Sequence, residues 1–128
     1  MFSGCNITSI TIPEGVIKIE LDALGNCGKL EKVTLPQSLE VLERGVFRNC
    51  SSLKEITIPQ NVTTMGEYLF FRCNNLTDIY NYAVVPQNIP PIHHNMSQIT
   101  LHVPAQSVEA YKNAHYWREM KVVPIETE

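Results

Sequence analysis

Short bursts of alternating apolar and polar residues return along this chain at intervals of 23 positions. In the burst Leu53, Ile56, Ile58, Pro59 the alternate apolar residues fall on one face, the period of a half-buried strand. Proline then ends the strand, because it cannot donate to a central ladder. Val62 and Met65 bring the chain inward again across a turn. Leu69, Phe70 and Cys73 follow three and four apart, a spacing that predicts a short helical or 3₁₀ segment. Residues 30–50 repeat this anatomy with Leu39, Leu42, Val46, Phe47 and Cys50, and residues 7–27 with Val16, Ile19, Ala23, Leu24 and Cys27. Pro13, Pro36 and Pro59 keep the same phase. A fixed period in the twenties is the signature of a solenoid, whose units bury their apolar faces only when stacked.

The pattern is incomplete at the start and frays towards the end. Phe2-Ser3-Gly4-Cys5 matches the tail of a repeat, so the chain enters part-way through a coil. Nothing there supplies a polar cap. The expectations are a fragment of a longer array, a homo-oligomer formed through the apolar end of Phe2, Ile7, Ile10 and Ile12, or a frayed first coil. After Cys73, Leu76 and Ile79 keep the strand phase, but Asn81 and Tyr82 stand where an apolar residue and proline are expected. Residues 82–98 carry three prolines and read as an irregular loop. A last strand is expected at Ile99 to Val103. Beyond it Ser107 is a candidate N-cap, with Glu109 in the first turn. Val108, Tyr111, Trp117 and Met120 then suggest an amphipathic helical stretch, and Lys121 to Ile125 a final extended segment. Residues 1–80 are thus read as repeats: a partial coil 1–5, then about 6–27, 28–50, 51–73 and a degenerate unit from 74. Residues 81–128 are read as loop, strand and helical cap. Covering the last coil is the role expected of Tyr111 and Trp117, with a ligand-stacking platform as the other reading.

Proline, aliphatics, aromatic and cysteine in phase through three coils make the chain resemble the BspA-like leucine-rich repeats. Leu24 in the aromatic slot, Glu20 and Glu43 in the glycine slot, and a Cys5–Ile7 junction one residue short depart from that pattern. The final 25 residues up to Ile125 are similar to the closing segment of bacterial members. The resemblance implies an α/β-type repeat solenoid, a right-handed coil with a parallel sheet on its concave face and short helical or irregular segments opposite. It also implies secretion or surface attachment and binding to another protein.

Composition narrows the classes further. The chain has 128 residues, 44% hydrophobic and 18% charged, which is ordinary globular material. No apolar run reaches the roughly 20 residues of a membrane-spanning helix, and the first residues lack a signal-peptide pattern, so direct membrane insertion is not expected. A net charge of −3 with scattered Lys and Arg argues against nucleic-acid binding. Cys5, Cys27, Cys50 and Cys73 occupy one slot of successive coils, which predicts a buried ladder of reduced thiols. Disulfides between stacked neighbours are the alternative, since coils about 4.8 Å apart are within bridging reach. Metal is the least favoured reading, because no C-x-x-C pair exists.

The outward positions of the strands define a candidate binding stripe: Ser9, Thr11, Lys32, Thr34, Glu55, Thr57, Asp78, Tyr80, Thr100 and His102. Thr11, Thr34 and Thr57 would form a ladder, which is also what a merely soluble sheet face would show. His102 is placed to meet Asp78 or Tyr80 across strands, yet no nucleophile accompanies them. His93 and His94 are adjacent, so they suit chelation poorly and read as loop residues. No cofactor, metal or catalytic residue is expected. Asn6, Asn49, Asn61, Asn75 and Asn95 each open an N-x-Ser/Thr sequon, either glycan acceptors or simply turn residues. The function expected is a non-catalytic protein-binding module, with a ligand-free structural spacer as the alternative.

Overall fold

The computed structural model describes residues 4–93 and 95–125. The predicted alternation becomes a string of short parallel strands. In chain order these are β1 (Ser9–Thr11), β2 (Lys18–Ile19), β3 (Lys32–Thr34), β4 (Val41–Leu42), β5 (Glu55–Ile58), β6 (Thr64–Met65), β7 (Asp78–Asn81), β8 (Thr100–Val103) and β9 (Lys121–Pro124). Each of the first three coils therefore contributes two strands to two different sheets, whereas β7, β8 and β9 have no second strand. The apolar residues of the first set, Val33, Ile56, Ile58, Ile79, Leu101 and Val103, face a single core. The second set forms a small sheet in the order β2-β4-β6. It arises where Val16, Leu39 and Val62 turn the chain inward, and its two-residue strands are shorter than a periodicity can reveal.

In the first three coils the third side is not helical. Consecutive i to i+3 turns close it, such as Arg48 N–H to the Gly45 carbonyl and Cys50 N–H to the Phe47 carbonyl. Helix is excluded because alternate amides point along the solenoid to the next coil: Asp22, Leu24 and Asn26 donate to Arg44, Val46 and Arg48. Gly45, Phe47 and Asn49 repeat this toward Glu67, Leu69 and Phe71. Two residues per coil take left-handed backbone to allow it, Asp22 and Asn26 first, then Gly45 and Asn49, then Tyr68 and Arg72. Asparagine side chains reinforce the stack. The amides of Asn49, Asn61 and Asn75 donate to Asn26 Oδ1, the Gln37 carbonyl and the Ser51 carbonyl of the preceding coil. Three of the five sequon asparagines thus do structural work in turns.

Inside, Phe47 and Phe70 stack with centroids 5.7 Å apart and planes 5° apart, above buried Leu24; Phe2 lies outside the described residues. Cys27, Cys50 and Cys73 are fully buried and Cys5 partly so, and no disulfide joins them. The Cys50 thiol donates to the Leu24 carbonyl and Cys73 to the Phe47 carbonyl, whereas Cys5 and Cys27 bring their sulfurs to 2.7 Å. Burial pushes the thiols of Cys50 and Cys73 up to about 12.

The segment read as a loop has no regular structure before a 3₁₀ turn at Met96–Gln98, but it packs as a further coil. Ile89, Ile92 and Met96 are buried, and the Pro91 and Ile92 carbonyls accept from Tyr68 and Phe70. Asn81, in an inward position, is fully buried; its amide donates to Gln87 Oε1 at 2.8 Å and its carbonyl accepts from Ala83 N–H. His93 is also structural, not idle. Asn95 N–H donates to its Nδ1, which leaves Nε2–H to donate to the Cys73 carbonyl at 3.1 Å. His94 lies outside the described residues.

The closing segment corrects two expectations. Ser107 does stand at the N-cap position of the helix, but its hydroxyl does not cap it and donates instead to the Val84 carbonyl at 2.6 Å. The helical stretch is only α1 (Val108–Lys112), flanked by single 3₁₀ turns and broken where Tyr116 takes a φ of 67°. Tyr111 and Trp117 are wholly buried, edge to face, and anchor to the Ala83 and Gln87 carbonyls. They cover the last coil. Among the described residues no helix is long and apolar enough to cross a membrane.

Candidate interaction surface

Because side chains alternate along each strand, one register fixes the whole outward face. Ser9 opposes Lys32 and Thr11 opposes Thr34 across β1 and β3. Glu55 opposes Asp78 and Thr57 opposes Tyr80 across β5 and β7; Asp78 then opposes Thr100, and Tyr80 opposes His102. All ten residues of the stripe are at least partly exposed. They do not form one ladder. The sheet is hydrogen-bonded as β1-β3 and separately as β5-β7-β8-β9, so Thr34 and Thr57 are not ladder partners. Between the two sheets lies a cleft of about 320 Å³ edged by Lys32, Thr34, Glu55 and Thr57. The expected three-threonine ladder is therefore a pair, Thr11 and Thr34.

The second group converges. The Tyr80 ring lies flat on the His102 imidazole, with centroids 4.1 Å apart and 11° between planes. His102 Nε2 sits 2.8 Å from Asp78 Oδ1, and since a carboxylate can only accept, Nε2 carries the hydrogen. Thr77 Oγ1 donates to the other carboxylate oxygen at 2.8 Å. These hydrogen bonds, the His102 one foremost, hold the Asp78 carboxyl below its usual value. Partial burial first, then the Glu55 and Asp78 carboxylates, push the Tyr80 phenol above its own. The imidazole is thus fixed by a carboxylate on one edge and an aromatic ring on its face. The result is an amphipathic cluster held by stacking and hydrogen bonds on a largely polar strand face.

Two residues extend the stripe beyond the sequence reading. Lys121 opposes Thr100 and Val123 opposes His102 on β9. The sequence marks residues 121–125 only as an extended segment, and the observed pairing places that strand beside β8. Among the described residues no group of three or more His, Cys, Asp or Glu could hold a metal ion.

The family model for BspA type leucine rich repeat regions matches six copies over residues 1–96. Three solved structures share the fold. A T. pallidum leucine rich repeat protein superposes with a TM-score of 0.69 at 21% identity, over 96% of this chain and 60% of that one. The pneumococcal vaccine antigen PcpA gives 0.70 at 18%, over 99% and 38%. A leucine rich cell surface protein from Faecalibacterium prausnitzii gives 0.59 at 23%, over 80% and 37%. The chain spans less than two thirds of each of these. No curated protein matches it by sequence. A repeat that places proline, aliphatics, aromatic and cysteine in stacked coils, matched over three quarters of the chain, puts this protein in the BspA-type leucine-rich repeat family.

Proposed function

We propose that this module is a non-catalytic binding element that holds a protein partner on its strand face, as part of a secreted or surface-attached protein. One observation carries the reading: the register gathers Tyr80, His102 and Asp78 into a single patch. Tyrosine is the residue most suited to anchoring a contact, because it covers a large area with little entropy to lose. Surface location rests on similarity to a cell surface protein of the same fold. The carboxylate partner of the imidazole orients it as a contact group.

An array of purified extracellular proteins tests this. The wild type should bind specific members, and Tyr80→Ala and His102→Ala should lose those members without lowering the unfolding midpoint by more than a few degrees. Uniform silence across the array would favour a spacer. Retention of every bound member by both variants would move the contact off this face.

A second arrangement is supported by β1, which has a hydrogen-bonded partner on one side only among the described residues and carries half-buried Ile10. Self-association through this edge would show as a dimer mass in light scattering that Ile10→Glu abolishes.

A further inference from the structure

On the turn side, away from the strand stripe, the left-handed positions differ from coil to coil. The first holds Asp22, Gly45 and Tyr68; the second holds Asn26, Asn49 and Arg72, with φ between 55° and 70° throughout. Asp, Asn and Gly tolerate this backbone, whereas a bulky side chain there is strained. The fold does not require Tyr68 or Arg72, since Gly45 and Asn49 satisfy the same geometry one coil earlier. Strain of this kind collects where a side chain must be presented to a ligand.

Tyr68 is presented at a cleft of about 590 Å³ that crosses three coils, and Arg72 lies over the ring of Phe71 in its wall. Leu21, about half exposed, and the rings of Tyr68 and Phe71 form its apolar wall. Arg44 and Arg48 supply two guanidinium groups against the single carboxylate of Asp22, whose Oδ1 is 3.3 Å from Arg48 Nε. Gly45 lets that carboxylate lie over the coil, because a Cβ there would strike it. Arg44 lies over Tyr68 at 5.6 Å and Arg72 over Phe71 at 5.4 Å, against rings and not against carboxylates. Nearby Glu43 is occupied by the Leu21 N–H and by Lys18. The cleft is thus locally cationic on a chain of net charge −3.

We propose that this cleft docks an extended acidic segment of a partner protein, with a carboxylate on Arg44 and Arg48 and an adjacent apolar side chain against Leu21, Tyr68 and Phe71. Arginine with tyrosine is the pairing that dominates energetic centres of protein contacts, and the fork of arginine fits a carboxylate. A peptide is favoured over a sugar because Tyr68 and Phe71 meet edge to face at 67° and each carries a guanidinium over its ring. This angled, guanidinium-capped pair does not offer the single open aromatic platform on which a pyranose stacks. The volume suits a few side chains, not a folded domain. This surface is separate from the strand stripe, so either can fail without the other.

The test is selection from a random peptide library displayed on phage, followed by affinity measurement of the enriched peptides. Enriched sequences should pair Asp or Glu with a neighbouring apolar residue, and their binding should weaken with salt. Arg44→Gln and Tyr68→Gly should each weaken binding about tenfold or more, while Tyr80→Ala leaves it unchanged. Tyr68→Gly should keep or raise the thermal midpoint, since glycine relieves the strained backbone, so its loss of binding is not loss of fold. Enrichment of neutral or basic peptides, indifference to both substitutions, or no enrichment would overturn the proposal. Binding of polygalacturonate in place of any peptide would reassign the cleft to an anionic glycan.

Discussion

Phe47 and Cys50 sit three residues apart on one turn, and each repeats into the next coil at Phe70 and Cys73. Removing the Phe47 ring leaves a void between Leu24 and Phe70 that a rigid stack cannot collapse to fill, so Phe47→Ala should cost roughly 3–5 kcal/mol in denaturant unfolding. The thiols make a different prediction. Burial raises Cys50 and Cys73 from about 9 to about 12 in the fold, so the folded state keeps protons that the unfolded chain releases. Their contribution is fully present below pH 9 and is lost as pH climbs toward 12. Burial raises Tyr111 as well and adds to the same limb. Unfolding curves from pH 8 to 12 should show falling stability, less steep in a Cys50→Ala/Cys73→Ala variant. At neutral pH both thiols should resist alkylation while half-exposed Cys5 reacts.

At the scale of elements, the first strand of each coil was legible in the sequence because its period of two and terminal proline are strong local signals. The turn side was not. Its geometry is dictated by amides reaching along the stack, and the left-handed positions are filled by Asp, Asn, Tyr and Arg as well as Gly, so no single residue type marks them. The strand stripe could be named residue by residue, including the His102 contact with Asp78 and Tyr80. Its break between β3 and β5 could not, since Thr34 and Thr57 keep perfect phase in sequence. Asn81 shows another limit. A polar residue at a core position read as decay of the repeat, but Gln87, six residues on, satisfies it and also donates to the Val62 carbonyl. Gln87→Ala should therefore leave buried partners unpaired and lower stability by about 1–3 kcal/mol, readable by thermal unfolding.

The whole molecule is a stack in which each coil touches mainly its neighbours, so what one coil displays is set by register with the next. That is why Tyr80 and His102, 22 positions apart, become one patch, and why the closing segment can extend the sheet through β9 while Trp117 and Tyr111 seal the core. The contact surface we propose is this patch. For any protein recovered from the array, the decisive measurement is its Kd for wild type, Tyr80→Ala, His102→Ala and the double variant. Each single substitution should weaken binding about tenfold or more, and the double variant should fall short of the product, because the stacked rings act as one anchor. Affinities within about twofold of wild type for all three variants would overturn the proposed contact and take the partner off this sheet.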